Sequence, residues 1–255
     1  MTELAERLWD ARKRGTIVEL SDVVEPASLD EAYAVQAKVT RLSGHDICGF
    51  KVGSTSREAQ RLLGTTEPGS GPILVPYLHT SPARLDIVPL QMPAIEGEFA
   101  FRLGRNLPSR PAAYTHADVA EAVDAVAGAI EVVGTRIAGG LAGKGRFLVT
   151  ADGGVNIALV TGPWTTGWRV LDLEIHRVAM RINSKPRGEG EGARALGHPM
   201  NVLVWLANQQ SRFGRGLLAG DIVSTGTCTG LDRVAPGDHA VADFGSLGQV
   251  ELTLQ

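Results

Sequence analysis

Two glutamates set one residue apart inside an apolar strand constrain this chain more than any other feature. In Pro93-Ala94-Ile95-Glu96-Gly97-Glu98-Phe99-Ala100-Phe101-Arg102-Leu103, alternation puts Ile95, Phe99, Phe101 and Leu103 on one face and Glu96 and Glu98 together on the other. A solvated face of an antiparallel strand is the commoner fate of such a pair. In a half-buried sheet, the same repulsion raises a carboxylate pKa or calls in a cation. Gly97 removes the intervening side chain and leaves room for backbone or ligand to come close. A third carboxylate, Glu131, ends the apolar run Val126-Ala127-Gly128-Ala129-Ile130, which reads as a buried strand. Three glutamates on adjacent strands can form an oxygen cage for a divalent metal.

Other chemistries find less support. The histidines His45, His79, His116, His176, His198 and His239 form no H-E-x-x-H or H-x-H pattern, which argues against a histidine-built metal site. Cys48 and Cys228 are spaced for neither zinc nor a redox pair and read as buried, inert thiols. The net charge is -3 and the Lys and Arg residues are scattered, so there is no electrostatic footprint for nucleic acid. No apolar run approaches the length of a membrane span, and the acidic start Met1-Thr2-Glu3-Leu4-Ala5-Glu6 has no apolar region behind it; a cytoplasmic, membrane-free protein is expected.

The chain opens with helices. Leu4 to about Arg14 carries a thin stripe of Leu4, Leu8 and Trp9, able to pack on the domain or on a neighbouring subunit. Leu29–Leu42 follows a capping box at Ser28 and Glu31 and repeats Ala32, Val35, Val39 and Leu42 at helical spacing. From Ile47 the texture changes. Ile47-Cys48-Gly49-Phe50-Lys51-Val52-Gly53 reads as a strand with one lysine, followed by a short helix whose capping box starts at Thr55; Thr65 to Pro72 reads as a loop. Leu85–Val88 is a candidate strand. A helix capped by Thr115 is expected to end near Val126.

The glycine-rich stretch Arg136–Gly145 lacks the G-x-x-x-x-G-K-[ST] spacing of a phosphate cradle and reads as an active-site loop or connector. Val155–Val160 and Leu171–Ile182 read as strands with a turn at Asn183-Ser184-Lys185. His198 reads as the entry of a helix with Pro199 in its first turn and Gly214 at its end. The tail returns to strands at Asp221–Thr225, His239–Phe244 and Val250–Leu254. With 255 residues and 44% hydrophobic content the chain can bury a sizeable core. Many short strands with irregularly placed helices predict an α+β fold built on a mixed β-roll or barrel, with a helical N-terminal segment at 1–45 and the roll at 46–255 as one continuous unit.

Several stretches together resemble the fumarylacetoacetate hydrolase superfamily, and within it the group of 2-keto-4-pentenoate hydratases and 4-oxalocrotonate decarboxylases. They are Gly49-Phe50-Lys51-Val52-Gly53-Ser54-Thr55-Ser56, Glu96-Gly97-Glu98-Phe99-Ala100-Phe101, and Leu196-Gly197-His198-Pro199 leading to Trp205-Leu206-Ala207-Asn208. The tail is the strongest: Ala219-Gly220-Asp221-Ile222-Val223, Thr225-Gly226-Thr227, Val234-Ala235-Pro236-Gly237-Asp238-His239 and Ala242-Asp243-Phe244-Gly245-Ser246-Leu247-Gly248.

The resemblance implies a roll of the fumarylacetoacetate hydrolase C-terminal type and an Mg²⁺ or Mn²⁺ site formed by Glu96, Glu98 and Glu131. It further implies an active-site lysine, Lys51, and substrate contacts from Arg136, Asp152 and Thr227. The implied reaction is hydration of a 2-hydroxy-2,4-dienoate in aromatic catabolism; a 4-oxalocrotonate-type decarboxylase, an acylpyruvate hydrolase and a non-catalytic partner subunit are the alternatives. A basic group for a second substrate carboxylate would favour the decarboxylase, with Arg136, Arg146 and Arg194 as candidates. A homo-oligomer, pentamer or decamer, is implied, as is pairing between decarboxylase and hydratase. The chain departs from the hydratase pattern in three places: Glu131-Val132-Val133-Gly134-Thr135-Arg136 replaces Glu-x-x-Asp-Ser-Arg, Ala151-Asp152-Gly153 replaces Ala-Asp-Asn, and Gly69-Ser70 stands where an aspartate is usual. The metal ligands survive these changes, whereas polar groups able to position water are altered.

Overall fold

A computed structural model describes residues 2–140 and 143–255. Its elements are α1 (Thr2–Arg14), α2 (Leu29–Ser43), β1 (Ile47–Gly53), α3 (Arg57–Leu62), β2 (Gly69–Leu74), β3 (Leu78–Thr80), β4 (Ala83–Leu85), β5 (Ala94–Leu103), α4 (His116–Ala122) and β6 (Val123–Val133). There follow α5 (Gly145–Ala151), β7 (Asn156–Thr161), β8 (Arg177–Ile182), β9 (Lys185–Glu191), α6 (Pro199–Phe213), β10 (Ile222–Thr227), β11 (Asp232–Arg233), β12 (His239–Asp243) and β13 (Gln249–Leu254). The eight-stranded mixed sheet runs β2-β1-β10-β5-β6-β7-β3 with β11 on β5, and a five-stranded sheet runs β4-β13-β12-β8-β9. This is the α+β roll that the strand pattern predicts.

The two sheets share one core. Phe99 and Phe101 of β5 are fully buried, and the Phe99 ring meets Phe244 from the loop after β12 edge to face at 5.6 Å. Each such ring contributes about 1.5–3 kcal/mol by leaving water. Strand β5 is therefore anchored by its apolar face, and its other face is free to carry function.

Helices α1 and α2 form a second, smaller core with α5: Leu4, Ala5, Leu8 and Ala11 pack with Ala32, Val35, Leu148 and Ala151. The thin apolar stripe of α1 thus closes on its own chain. Helix α2 starts where expected, with Ser28 Oγ accepting the Glu31 N–H, and ends at Gly44 with φ 69°. No helix among the described residues is long and apolar enough to cross a membrane.

The structure corrects several element boundaries. The cap of α3 is Ser56, whose hydroxyl accepts the Ala59 N–H, not Thr55. Gly69–Pro72 is not loop but the first part of β2, because β1 offers it a full antiparallel ladder from Gly53↔Gly69 to Lys51↔Gly71. The strand near Leu85 lies earlier, at Ala83–Leu85. Helix α4 stops at Ala122, and Val123–Val126 already belongs to β6. Residues 171–176 are not strand despite their alternation: Asp172 Oδ1 accepts the Glu174 N–H at 3.2 Å, a side-chain turn that breaks the run, and Ile175 is left 63% exposed. Strand β9, unforeseen in the sequence, pairs with β8 beyond the turn at Asn183-Ser184.

Candidate metal centre

Strands β5 and β6 are antiparallel neighbours, and their register places Glu96 opposite Glu131. Directly opposed residues share a face, and so do Glu96 and Glu98 two residues apart, so all three carboxylates converge. One oxygen from each lies within 4.8 Å of the others, the one such cluster of metal-capable side chains among the described residues. Glu131 and Glu98 are buried, while Glu96 is the more open of the three.

Two of the carboxylates are fixed by the strands beside them. Asn156, opening β7, donates its Nδ2–H to Glu131 Oε1 at 2.9 Å. From β10, the Ser224 hydroxyl and the Gly226 N–H both donate to Glu98 Oε2, the latter at 2.9 Å. Glu131 Oε2 is buried and accepts no hydrogen bond; its partner is the Lys51 ammonium, Nζ to Oε2 3.2 Å, in an ion pair that is itself buried. Lys51 reaches the site from β1, paired on one side with Ser224 of β10 and on the other with Gly71 of β2.

The electrostatics follow from burial. Desolvation, then repulsion from Glu131, pushes Glu96 up to about 7 against the pull of Lys51. Desolvation followed by repulsion from Glu131 and Glu96 carries Glu98 well above the carboxylate range. Burial alone would lower the Lys51 pKa, but Glu131, Glu98 and Glu96 together reverse the sign, raise it above the ordinary value and hold the ammonium charged. Three carboxylates face one ammonium, and the excess negative charge is what a divalent cation would compensate. The donors are all hard oxygens, the set that Mg²⁺-like and Ca²⁺-like ions take. The residues fit such an ion.

A cavity of about 150 Å³ opens at Lys51 and Glu96. Its walls are largely hydrocarbon: Leu62, Leu63, Val133, Val149, Val155 and Leu231. Arg146 also borders it, but its two terminal nitrogens are held by Thr65 Oγ1 at 2.7 Å and the Pro68 carbonyl at 2.8 Å. The space that Gly97 leaves is taken by the chain itself, not by a ligand: a Cβ there would lie 3.0 Å from Thr229 Cγ2, and the Gly97 N–H donates to Thr229 Oγ1.

Arg136 and Asp152 stand apart from this cavity and are spent on each other. Asp152 accepts from Arg136 Nε at 2.6 Å, from the Arg136 backbone N–H at 2.9 Å and from Thr135 Oγ1 at 3.0 Å. Arg136 Nη1 donates to the carbonyls of Gly134 and Asn156. The pair is buried and braces the end of β6 against the segment that carries Asn156. Thr227 lies opposite Glu98 and lines a wider opening with Arg194 and Trp205, its hydroxyl engaged with Gly230. Arg194 Nη1 donates to the Cys228 carbonyl at 3.2 Å. Of the glycine-rich stretch, residues 141–142 lie outside the described residues.

Asn156 and Ser224, which hold two of the carboxylates, were not singled out from the sequence. Asn156 opens β7 and Ser224 stands beside Thr225 in β10, and only their hydrogen bonds to Glu131 and Glu98 give either of them meaning. Cys228 is buried as expected, whereas Cys48 is only half-buried; burial pushes the Cys48 thiol up to about 11 and that of Cys228 higher still.

Comparison with known proteins agrees with this geometry. The family model for the C-terminal part of fumarylacetoacetate (FAA) hydrolase matches residues 52–255. The chain is 34% identical to a 2-keto-4-pentenoate hydratase of Paraburkholderia xenovorans over 99% of its own length and 94% of that protein. It is 31% identical to a 2-hydroxyhexa-2,4-dienoate hydratase of Comamonas testosteroni, covering 92% and 89%. Among solved structures, 4-oxalocrotonate decarboxylase from Pseudomonas putida G7, complexed with magnesium and adipate, superposes with a TM-score of 0.90 at 27% identity, covering 100% of this chain and 97% of that one.

Proposed function

Because the chain belongs to the fumarylacetoacetate hydrolase family, we propose that it is a metal-dependent hydratase that adds water to a short 2-hydroxy-2,4-dienoate, giving a 4-hydroxy-2-oxo acid in aromatic catabolism. Glu96, Glu98 and Glu131 would hold Mg²⁺ or Mn²⁺. When bound, the cation supplies a chelation point for the acid's carboxylate and 2-oxygen and Lewis-acid stabilisation of negative charge on that oxygen.

The chain's own groups do the rest. Lys51, kept protonated by the three carboxylates, is placed to pair with the substrate carboxylate and to exchange a proton at the 2-oxygen. Loss of the 2-hydroxyl proton and gain of one at C5 moves the remaining double bond to C3–C4, in conjugation with the new carbonyl. Water then bonds to C4 and a proton to C3. The largely hydrocarbon lining around Lys51 suits the uncharged carbon chain of such an acid. Arg136 and Asp152 serve by holding Asn156, and through it Glu131, in register. Thr227 borders the approach.

The observation that carries the choice of substrate is the largely apolar lining of the cavity. A dienoate ending in a vinyl or alkyl group leaves no charge there. A dicarboxylate such as 4-oxalocrotonate is the second reading, favoured by Arg146 at the cavity, whose Nε is buried without a partner, although both terminal nitrogens of that guanidinium already serve the 65–68 loop. Presenting 2-hydroxypenta-2,4-dienoate and 4-oxalocrotonate side by side decides between them. Hydration of the first with no CO₂ from the second supports the hydratase; CO₂ release with the dienoate untouched makes it a decarboxylase. Assembly into a homo-oligomer belongs to the same proposal and is tested by sedimentation.

A further inference from the structure

Thr150 sits in the last turn of α5, is only 3% exposed and lines the cavity at Lys51. Its carbonyl is engaged, accepting from Gln36 Nε2 at 2.8 Å. Its hydroxyl makes no hydrogen bond among the described residues and borders the cavity, where a bound molecule can reach it. Several other polar groups at the cavity are engaged elsewhere, although Arg146 Nε is buried without a partner. Lys51 pairs with Glu131, the Arg146 terminal nitrogens hold the 65–68 loop, and the Ser70 hydroxyl is turned to Gln209 at 3.5 Å.

The glycines of β1 and β2 show where that hydroxyl stands. Gly53 and Gly69 are direct cross-strand partners. A Cβ on Gly53 would lie 3.2 Å from Lys51 Nζ, and one on Gly69 would lie 3.9 Å from Thr150 Oγ1. Opposed Cβ positions in a ladder are about 5 Å apart. The ammonium and the hydroxyl therefore flank a small floor with no side chains, on the scale of a five-carbon acid. An acid held at Lys51 by its carboxylate would extend over this floor, its C3–C4 bond passing toward Thr150.

We propose that the Thr150 hydroxyl orients the water that adds to C4, a role that rests on the hydratase reading above. Thr150 Oγ1 accepts a hydrogen bond from the water and aims its lone pair at C4. The new C4–O bond forms as the C3–C4 π bond breaks; C3 takes a proton from solvent and the water releases one to solvent, so no other reactant enters.

The role separates the two halves of the reaction, and the test uses that. In D₂O with Mg²⁺, ketonisation of 2-hydroxypenta-2,4-dienoate places deuterium at C5, followed by NMR, while water addition is followed as 4-hydroxy-2-oxopentanoate. Thr150→Val, which is isosteric, is expected to lower kcat for water addition roughly 10- to 100-fold. Deuterium entry at C5 and the Mg²⁺ affinity should stay within about twofold, and Thr150→Ser should restore most of the hydration. Water addition unchanged in Thr150→Val overturns the assignment, as does a parallel fall of C5 exchange or Mg²⁺ affinity, which marks a structural role. A wild-type enzyme that hydrates no dienoate defeats the hydratase reading and this one with it; a wild type that hydrates, with an unaffected valine variant, defeats only this one.

Discussion

Glu96 and Glu131 face each other directly across the β5–β6 ladder, like charges in the position where cross-strand neighbours interact most strongly. A sheet keeps such a pair only if something compensates it. Lys51 does so in part, its Nζ lying 3.2 Å from Glu131 Oε2.

The opposed pair gives metal binding a pH dependence. With burial first and Glu131 second holding Glu96 up to about 7, the metal-free site carries a proton there below neutrality, and a cation must displace it. Mg²⁺ affinity should therefore rise with pH through about 7, with proton release on binding at pH 6 and little at pH 8.5 from this group. The same raised carboxylate makes the metal-free fold lose stability as pH climbs from the unfolded value of 4.5 through about 7, by about 3 kcal/mol from Glu96 at the 1.4 kcal/mol of one pKa unit. Calorimetric titration in two buffers of different ionisation enthalpy, with melting curves across the range, measures both. Affinity independent of pH between 6 and 8 would contradict the geometry.

Lys51→Met should separate turnover from metal binding. Removing the ammonium takes away the group that meets the substrate carboxylate, and kcat/KM should fall by roughly 100-fold or more. It also removes a positive charge from beside the cation, so Mg²⁺ should bind several-fold more tightly at pH 8.5, where Glu96 is ionised. Tighter metal with lost activity is the expected signature in calorimetry and assay; weaker metal binding would show that Lys51 organises the carboxylates instead of competing with the ion.

Arg136→Ala should act on stability first. The guanidinium and Asp152 are a buried pair with every Asp152 oxygen used, and removing one partner of such a pair costs about 3–5 kcal/mol. Melting temperature should drop by several degrees, and KM for the dienoate should hold in the fraction that remains folded. A large KM change with an unaltered melting curve would instead return Arg136 to direct substrate contact.

Much of the site was legible because its signals are local. The alternation of β5 and the apolar run before Glu131 place three carboxylates on neighbouring strands, and the motifs from Gly49 to Ser56 and from Ala219 to Gly248 resemble those of the family that the full-length comparison shows. What stayed hidden depends on partners distant in sequence. Strand β9 has no apolar residue in Lys185–Glu191 to mark it, and its Gly188 and Gly190 pack against the carbonyls of Thr229 and Cys228, contacts that no periodicity records. Residues 171–176 alternate as a strand does, yet the Asp172 side chain offers the backbone a turn instead. Gly69–Pro72 looks like loop because glycine is read as flexibility, whereas here it clears the floor between Lys51 and Thr150. Asn156 and Ser224 gain a role only when β7 and β10 are laid beside the glutamates.

The central claim is that Glu96, Glu98 and Glu131 hold a divalent cation on which hydration depends. Its most direct test follows the loss of ultraviolet absorbance of 2-hydroxypenta-2,4-dienoate as Mg²⁺ is titrated into metal-free enzyme, with product identification and Glu98→Gln as the control. The account predicts no turnover without the cation, saturable activation giving 4-hydroxy-2-oxopentanoate, and at least about a 100-fold loss in the variant, whose neutral amide cannot replace the carboxylate. Full activity in chelator, or a Glu98→Gln enzyme as fast as wild type, would contradict it.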